Sequence, residues 1–273
     1  MVARYPHRFV NELDDSAIGR LIARLEGRAR DVVFTRLFDK YAGHLAPHPS
    51  ARVLEVGCGT GATVRALARR SDFLGKAVGV DQSAPFIDAA RRFARDENLG
   101  DRVDFLVGDA HDLDFPDATF DAVFAHTLIS HVTDPETVLR EMARVVRPGG
   151  LVAVFDGDYA SLTYAFADHG FGQQMDAALA TASFNNPRIM REMPGLIPRL
   201  GLQMRMAWGD AVAEIGTGSY FRSFAETYVP FVVKAGLFSA DSAEAWLRAQ
   251  HQSMEDGTFF ASCNYYTYLT NRV

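Results

Sequence analysis

The feature that most constrains the fold is the stretch from Val53 to Ala62, where three alternating glycines join an apolar run to a helical pattern. Gly57, Gly59 and Gly61 permit positive φ angles, and they lack the Cβ atoms that would keep a ligand away from the turn. The following helix directs its first N–H groups and the positive end of its dipole toward the same turn. The sequence therefore predicts a strand, a cofactor-binding loop and a helix, in that order.

Two classes of cofactor use such a loop. Gly57-x-Gly59-x-x-Ala62, with Asp81 ending the next apolar run, also matches the dinucleotide fingerprint. The loop by itself leaves both classes open. Glu55 favours the other class, because a carboxylate two residues before the first glycine repels a pyrophosphate and attracts the amino group of a methionine moiety. We therefore expect a cationic cofactor.

Composition excludes several other functions. The 273 residues suffice for one large α/β domain with elaborations, and a net charge of −6 with scattered basic residues argues against nucleic acid as a partner. Cys58 and Cys263 have neither disulfide nor metal-ligand spacing, so we expect no metal and a reducing, cytoplasmic location. The first 30 residues have no apolar leader, and no run approaches the ~18 apolar residues of a membrane span.

Strand and helix patterns alternate along the middle of the chain, as in a Rossmann-like doubly wound sheet. We predict strands near 52–56, 76–80, 102–107, 120–125 and 151–156, and helices near 61–70, 84–96 and 135–146. Residues 1–50 are expected to form a helical N-terminal extension that acts as a lid on the domain formed by 51–273. Later segments are predicted as helical, aromatic-rich cap inserts near 159–187 and 216–257, a helix near 188–200, and strands near 202–215 and 258–269.

Further motifs follow the glycine loop in order. They are Gly108-Asp109-Ala110, the apolar run 120–125 with Asp121, and Arg147-Pro148-Gly149-Gly150. With these motifs the chain resembles the class I S-adenosylmethionine-dependent methyltransferases, and among them the ubiquinone/menaquinone-biosynthesis-like small-molecule branch. The resemblance covers about 50–157 and returns at 257–260. It implies an α/β fold with a mostly parallel seven-stranded sheet and an antiparallel last strand.

The resemblance also implies the cofactor and its contacts. S-adenosylmethionine is the expected cofactor, S-adenosylhomocysteine the product, and a monomer or homodimer the expected assembly. Asp81 is expected to accept from the ribose hydroxyls, Asp109 from the adenine amine, and Ala110 to donate its N–H to the ring. The expected cofactor-binding residues are Glu55, Gly57, Cys58, Gly59, Gly61, Asp81, Gln82, Ser83, Gly108, Asp109, Ala110 and His126. The structural alternatives are a tight turn without ligand, a helix cap by Asp81 and an Asx-turn at Asp109.

Candidate catalytic residues follow the fourth and fifth strands. His126 and His131 lie where the resembling family places the reacting methyl group, and a neutral imidazole can take a proton from a hydroxyl or an acidic carbon. Asp156, Asp158 and Tyr159 follow the fifth strand and are expected to face the same crevice. These side chains have alternative roles in loop or pocket structure, because holding a nucleophile in line with a sulfonium methyl can suffice for transfer.

The resulting functional hypothesis is methyl transfer from S-adenosylmethionine to a small-molecule acceptor, with an O, N or C nucleophile. Two alternatives stay open. One is a protein that binds S-adenosylmethionine in a non-methylating role, either pericyclase-like or regulatory. The other is a nicotinamide-dependent oxidoreductase.

Overall fold

The computed structural model describes residues 15–273, so the first part of the predicted N-terminal extension lies outside the described residues. The helices are α1 (Asp15–Arg30), α2 (Val32–Leu45), α3 (Ala62–Arg69), α4 (Ala84–Asp96), α5 (Pro135–Val145), α6 (His169–Ser183), α7 (Ile189–Arg199), α8 (Tyr220–Lys234) and α9 (Ala240–Glu255). The strands are β1 (Arg52–Val56), β2 (Lys76–Asp81), β3 (Val103–Val107), β4 (Phe120–His126), β5 (Val146–Tyr164), β6 (Leu202–Gly216) and β7 (Phe259–Arg272).

The strands form a seven-stranded sheet in the order β3-β2-β1-β4-β5-β7-β6. β1 to β5 pair in parallel, and β7 lies antiparallel between β5 and β6. Apolar clusters cover both faces, as expected for parallel strands whose connecting helices return on both sides. The prediction of a doubly wound, mostly parallel sheet with an antiparallel last strand is therefore confirmed.

The fifth strand is much longer than predicted. Patterning suggested a strand at 151–156 and helical structure from 159, but β5 runs from Val146 to Tyr164. Its far end continues because Thr163 and Tyr164 pair with β7, and the Tyr164 ring packs edge-on against Trp246 with centroids 5.0 Å apart. The prediction of a helical insert was thus wrong for 159–164, and the first insert helix, α6, begins at His169.

Local chemistry explains the helix starts that border the site. Asp31 separates α1 from α2, and its side chain accepts a hydrogen bond from the N–H of Val33 at 2.8 Å. Ser83 accepts from Phe86 N–H at the start of α4, and Asp134 accepts from Thr137 N–H at the start of α5. These caps place helix starts directly after β2 and in the connection that follows β4.

Candidate active site

A cavity of about 540 Å³ lies at the carboxyl ends of the parallel strands. One end is formed by the glycine loop after β1 and by the residues that follow β2 and β3. The other end is enclosed by α1, α2, Tyr159, Phe184 and α8. Ligands of open α/β sheets bind at this edge, because the connecting loops diverge there and leave a crevice. We call the two parts the glycine-loop end and the aromatic end.

The glycine loop has the backbone conformation that its sequence predicts. Gly57, Gly59 and Gly61 have φ angles of +71°, +53° and +71°. Gly57 and Gly59 line the cavity, and a Cβ on Gly57 would lie 2.4 Å from the side chain of Leu128. Gly61 does not line it; a Cβ there would lie 2.3 Å from the Phe105 ring, so this glycine serves the packing of α3 on the sheet. Of the three glycines, Gly61 is therefore the one that the structure does not bring to the cavity.

Asp81 lies at the end of β2 and lines the cavity. Its two carboxylate oxygens accept from Gly59 N–H at 2.8 Å and from Ser83 N–H at 2.9 Å. Each oxygen retains a lone pair for one further donor, which suits a pair of vicinal hydroxyls. Burial raises the pKa of Asp81, and the two backbone donors oppose that shift. Ser83 itself is fully buried beneath the site as the cap of α4, so the structure does not bring its side chain to the cavity.

Glu55 lies on β1 beneath the glycine loop and lines the cavity. Both its oxygens are 2.5 Å from the hydroxyl of Thr63, which donates to the carboxylate. Burial raises the pKa of Glu55 to about 8. The hydrogen bond from Thr63 acts to lower this pKa, and the charge of Asp81 acts to raise it. A nearby cation would favour the ionised form. The carboxyl group is therefore set to lose a proton when a cationic group binds beside it.

The remaining predicted cofactor residues gather around the same end. Gln82, Gly108, Asp109 and Ala110 line the cavity, as does the buried Cys58. Asp109 Oδ1 accepts from the backbone N–H of His111 at 2.9 Å, and the His111 ring nitrogen Nδ1 lies 2.7 Å from the same oxygen. These bonds make an Asx-turn that uses Oδ1. Burial raises the pKa of the Cys58 thiol well above its usual value, so it stays protonated.

His126 ends β4 and forms part of the cavity wall. Its Nδ1 lies 2.5 Å from the Tyr41 hydroxyl, and its ring stacks on Phe155 with centroids 4.6 Å apart. Burial lowers the pKa of His126 well below its usual value, and the charge of Arg28 adds to this. The imidazole is neutral and held by aromatic rings, which makes it a wall of the cavity.

His131 and Tyr159 lie together at the aromatic end. The ring of His131 is 4.9 Å from that of Phe184, and Tyr159 stacks on Phe184 at 3.4 Å with an interplanar angle of 9°. Burial lowers the pKa of His131 to about 3. A base works best when its pKa is near the working pH, so His131 is a weak proton acceptor at neutral pH.

Asp156 and Asp158 do not reach the cavity. Asp156 is fully buried, and its carboxylate accepts from the N–H and hydroxyl of Ser130 and from the N–H of Gly157. Asp158 is buried in an ion pair with Arg191 at 2.8 Å. Asp156 thus positions the loop that carries His131, and its predicted contact with substrate is not supported. The reason is that β5 stays extended past both residues, so their side chains lie on the face of the sheet opposite to that of Tyr159, which lines the cavity.

Two arginines on α1 were not predicted as site residues. Arg24 and Arg28 both line the cavity. Arg28 donates from Nη1 to the Thr127 hydroxyl at 3.0 Å, and its guanidinium lies 4.5 Å from the Phe34 ring centroid. Arg24 donates to the Tyr228 hydroxyl at 2.9 Å. Their spacing could have indicated this position. Both arginines lie at helical intervals from Leu21, so they share the face of α1 that was interpreted as apolar.

A buried polar cluster attaches α1 to the glycine loop. Glu26 accepts from the Thr60 hydroxyl at 2.7 Å and from Arg65 Nη2 at 2.8 Å. Arg65 also donates to the Thr60 carbonyl at 2.5 Å and to Glu97 at 3.0 Å. The helix that encloses the aromatic end is therefore linked to the loop at the opposite end of the cavity.

The described part of the chain lacks two other kinds of functional feature. Within 15–273, no three His, Cys, Asp or Glu side chains are grouped so that they could hold a metal ion. No described helix combines the length and the apolar character that crossing a membrane requires.

Comparison with known proteins identifies the central segment. Residues 54–154 match the family model described as a methyltransferase domain. The methyltransferase GfsG of Streptomyces halstedii is 38% identical over 143 residues, which are 52% of this chain and 48% of that protein. The 27-O-demethylrifamycin SV methyltransferase of Amycolatopsis mediterranei is 38% identical over 122 residues, 45% of this chain and 44% of the relative. The chain thus spans about half the length of these curated relatives.

Similarity to solved structures extends further along the chain. The crystal structure of the [4+2]-cyclase SpnF superposes with a TM-score of 0.58 and covers 87% of this chain and 80% of the other. Sequence identity in this comparison is 21%, so it supports the fold. The matched fold includes the sheet and helices beyond the 54–154 segment.

Proposed function

We propose that this protein, whose residues 54–154 match a methyltransferase domain, is a class I S-adenosylmethionine-dependent methyltransferase that transfers a methyl group to a small-molecule acceptor. The observation that carries this proposal is the continuity of the 540 Å³ cavity between the glycine-loop end and the aromatic end. A donor at one end and an acceptor at the other would meet inside a single enclosed space.

The glycine-loop end suits the three polar parts of S-adenosylmethionine. Glu55 is placed for the amino group, the free lone pairs of Asp81 for the ribose hydroxyls, and Asp109 with Ala110 for the adenine. The backbone of Gly57 and Gly59 makes room for the ligand at the start of α3. When bound, the cofactor supplies a methyl group that its sulfonium makes electrophilic.

The chain's own contribution to the reaction is positioning. Tyr159, Phe184 and Phe224 lie nearly parallel and line the aromatic end, where they would orient the acceptor toward β4. His126 and His131 close the wall between the two ends as neutral rings, with pKa values lowered by burial. We infer that the acceptor is held in line with the methyl group and that proximity supplies most of the rate enhancement.

Finer assignments belong to the same proposal. We expect an acceptor typical of the ubiquinone/menaquinone-biosynthesis-like branch, a protein located in the cytoplasm, and a monomer or homodimer. We expect helices α1 and α2 to act as the predicted lid, since Leu25 of α1 lies close to Gly59 and Tyr41 of α2 contacts His126. We also expect that the reaction uses no metal ion and that no nucleic acid binds.

Calorimetric titration and a product assay test the proposal together. S-adenosylmethionine and S-adenosylhomocysteine should bind, whereas NADH and flavin dinucleotides should not. Incubation with S-adenosylmethionine and a metabolite extract should then release S-adenosylhomocysteine, with heat-denatured protein as the control. Micromolar binding of NADH without any response to S-adenosylhomocysteine would overturn the methyltransferase proposal and favour the oxidoreductase alternative.

A second function is a non-methylating role for the same cofactor-binding fold. The lowered pKa values of both cavity histidines favour it, since neither ring is a strong base. The fold is also that of a protein described as a [4+2]-cyclase. Tight S-adenosylhomocysteine binding with no release of product from any extract fraction would support this role.

A further inference from the structure

The aromatic end carries positive charge that the described residues do not neutralise. Arg24 and Arg28 line it, and no ion pair joins either one to a carboxylate within 15–273. Nε and Nη2 of Arg28 are buried without any hydrogen-bond partner among the described side chains and backbone. Arg28 therefore borders the cavity with a guanidinium that has two buried donor groups satisfied by no described residue.

Burial of such a cation without a counterion is unfavourable. An arginine does not lose its proton in a protein, so it cannot escape the penalty by becoming neutral. Removing a charge from water is costly unless an opposite charge or several hydrogen bonds replace the lost hydration. The two guanidinium groups also repel each other, since the charge of Arg28 acts to lower the pKa of Arg24. A bound anion would relieve each of these costs.

We propose that Arg24 and Arg28 form a subsite for an anionic group, a carboxylate or a phosphate, on the molecule bound at the aromatic end. This inference rests on the proposed function, because it takes that molecule to be the methyl acceptor. The acceptor is then an apolar, flat molecule with one anionic substituent. Rings of Phe34, Phe224 and Tyr228 surround the arginines and would contact its apolar part.

The carboxylate of the cofactor's methionine part is the alternative anion for these arginines. The position of Arg28 favours the acceptor as the molecule that carries the anion. Its Nη1 is bonded to Thr127, beyond the end of β4, and its guanidinium lies 4.5 Å from the centroid of the Phe34 ring on α2. Glu55, which is placed for the amino group of the cofactor, is instead bonded to Thr63 at the start of α3.

The carboxylates that line the cavity do not supply the missing counterion. Glu55, Asp81 and Asp109 belong to the strand ends at the glycine-loop end and have partners there. Asp39 on α2 acts on the pKa of Arg70. Asp156 influences Arg28 but is enclosed by Ser130 and Gly157. Negative and positive groups are therefore separated along the cavity.

A matched pair of probes tests the subsite. 1-Naphthoate and its neutral isostere 1-naphthamide are titrated calorimetrically into the full-length protein saturated with S-adenosylhomocysteine. We expect naphthoate to bind at least about tenfold more tightly than naphthamide, the ratio that one charge-assisted hydrogen-bonded contact produces. Equal binding of the two probes, or no binding of naphthoate, would overturn the proposal without reference to any variant.

Single substitutions then show which arginine causes the preference for naphthoate. Arg28→Met should remove the preference for naphthoate, Arg28→Lys should retain part of it, and Arg24→Met should reduce it. Arg36→Met is the matched control, because Arg36 lies on the neighbouring helix α2 but is exposed and does not line the cavity. Circular dichroism checks that each variant is folded, and the Arg28→Lys result stands if Arg28→Met unfolds.

The affinity for S-adenosylhomocysteine separates the two possible sources of the anion. If Arg28→Met leaves that affinity within about twofold and removes the probe preference, the anion belongs to the acceptor. If the variant instead weakens S-adenosylhomocysteine binding and leaves the probe preference intact, the arginine serves the cofactor and the acceptor proposal is wrong. Failure of the native protein to bind S-adenosylhomocysteine would contradict the proposed function. This outcome is measured without naphthoate or naphthamide, so it is distinguishable from failure of the subsite proposal.

Discussion

The two ends of the cavity are built in different ways. The glycine-loop end uses short segments directly after β1, β2 and β3, and its contacts are backbone N–H groups and carboxylates such as Asp81. The aromatic end uses side chains from α1, α2, β5, α8 and the residue after α6, which are far apart in the chain. The first end therefore depends on backbone geometry close to the strands, whereas the second depends on how distant helices pack over the sheet.

The ends also differ in charge. Carboxylates predominate beside the glycine loop, while arginines project among aromatic rings at the other end. A cation at one end and an anion at the other would each find a complementary field. The difference suggests that cofactor affinity and acceptor preference can be altered separately, except where a residue links the two ends.

Glu26 is the residue that links the two ends, and its substitution should have the largest effect on stability and on binding. We expect Glu26→Ala to lower the free energy of unfolding by about 3 kcal/mol, because it breaks a buried ion pair while Arg65 retains Glu97. Affinity for S-adenosylhomocysteine and for naphthoate should fall together, since α1 no longer docks on Thr60. Urea denaturation and calorimetry measure these quantities.

The control for this variant is Glu244→Ala. Glu244 forms an exposed ion pair with Arg248 at 2.7 Å on α9, so its loss should cost at most about 0.5 kcal/mol. Similar destabilisation by both variants would show that the Glu26 cluster has no special role in joining the two ends.

Asp81→Ala should affect the glycine-loop end alone. We expect S-adenosylhomocysteine to bind at least about tenfold more weakly, because two charge-assisted hydrogen bonds of roughly 1.5–3 kcal/mol each are lost. Naphthoate binding should change little. Asp104→Ala, which removes an exposed carboxylate paired with Lys76 on the neighbouring strand, is the matched control. A folded Asp81→Ala protein with the native cofactor affinity would exclude the ribose role.

The raised pKa of Glu55 predicts that both stability and cofactor affinity depend on pH. Its pKa of about 8 lies above the ordinary 4.5, so its folded state holds a proton that the unfolded chain releases. Stability contributed by the neutral group is complete below pH 4.5 and is lost as the pH rises through 8. A cation bound beside Glu55 lowers this pKa, so affinity for S-adenosylhomocysteine should rise with pH up to about 8, by at most about tenfold per unit.

Calorimetry at pH 7 in two buffers of different ionisation enthalpy measures the proton released on binding. Glu55→Gln should abolish this release, while the other groups that act on Glu55, which are Asp81, Arg65 and Thr63, stay in place. A native protein that binds S-adenosylhomocysteine without proton release would mean that the amino group does not lie near Glu55.

His131→Gln should have the smallest effect. The pKa of His131 is about 3, so the ring is neutral at physiological pH and a weak base. We expect the rate of S-adenosylhomocysteine release with an active extract fraction to fall by less than about tenfold, compared with roughly 100-fold or more for loss of a general base. A 100-fold loss at unchanged cofactor affinity would instead identify His131 as the base.

Prediction from sequence succeeded where structure is local. The turn at Gly57 and Gly59 follows from the conformational freedom of glycines two positions apart in the chain. Most strands and helices of the Rossmann-like core lie within a few residues of their predicted bounds for the same reason. The exception is β5, which is extended past 156 by pairing with β7, a strand about 100 residues away.

By itself, therefore, the sequence determined the sheet, the glycine loop and the position of the acidic residues at its strand ends, since short-range backbone geometry and periodic burial suffice for these. Tertiary structure alone decided the aromatic end. It buried Asp156 under the loop at Ser130, lowered the pKa of His131 by enclosing it, and turned Arg28 of α1 onto Thr127, 99 residues later in the chain. Such effects depend on desolvation and on contacts between distant segments, which no local pattern records.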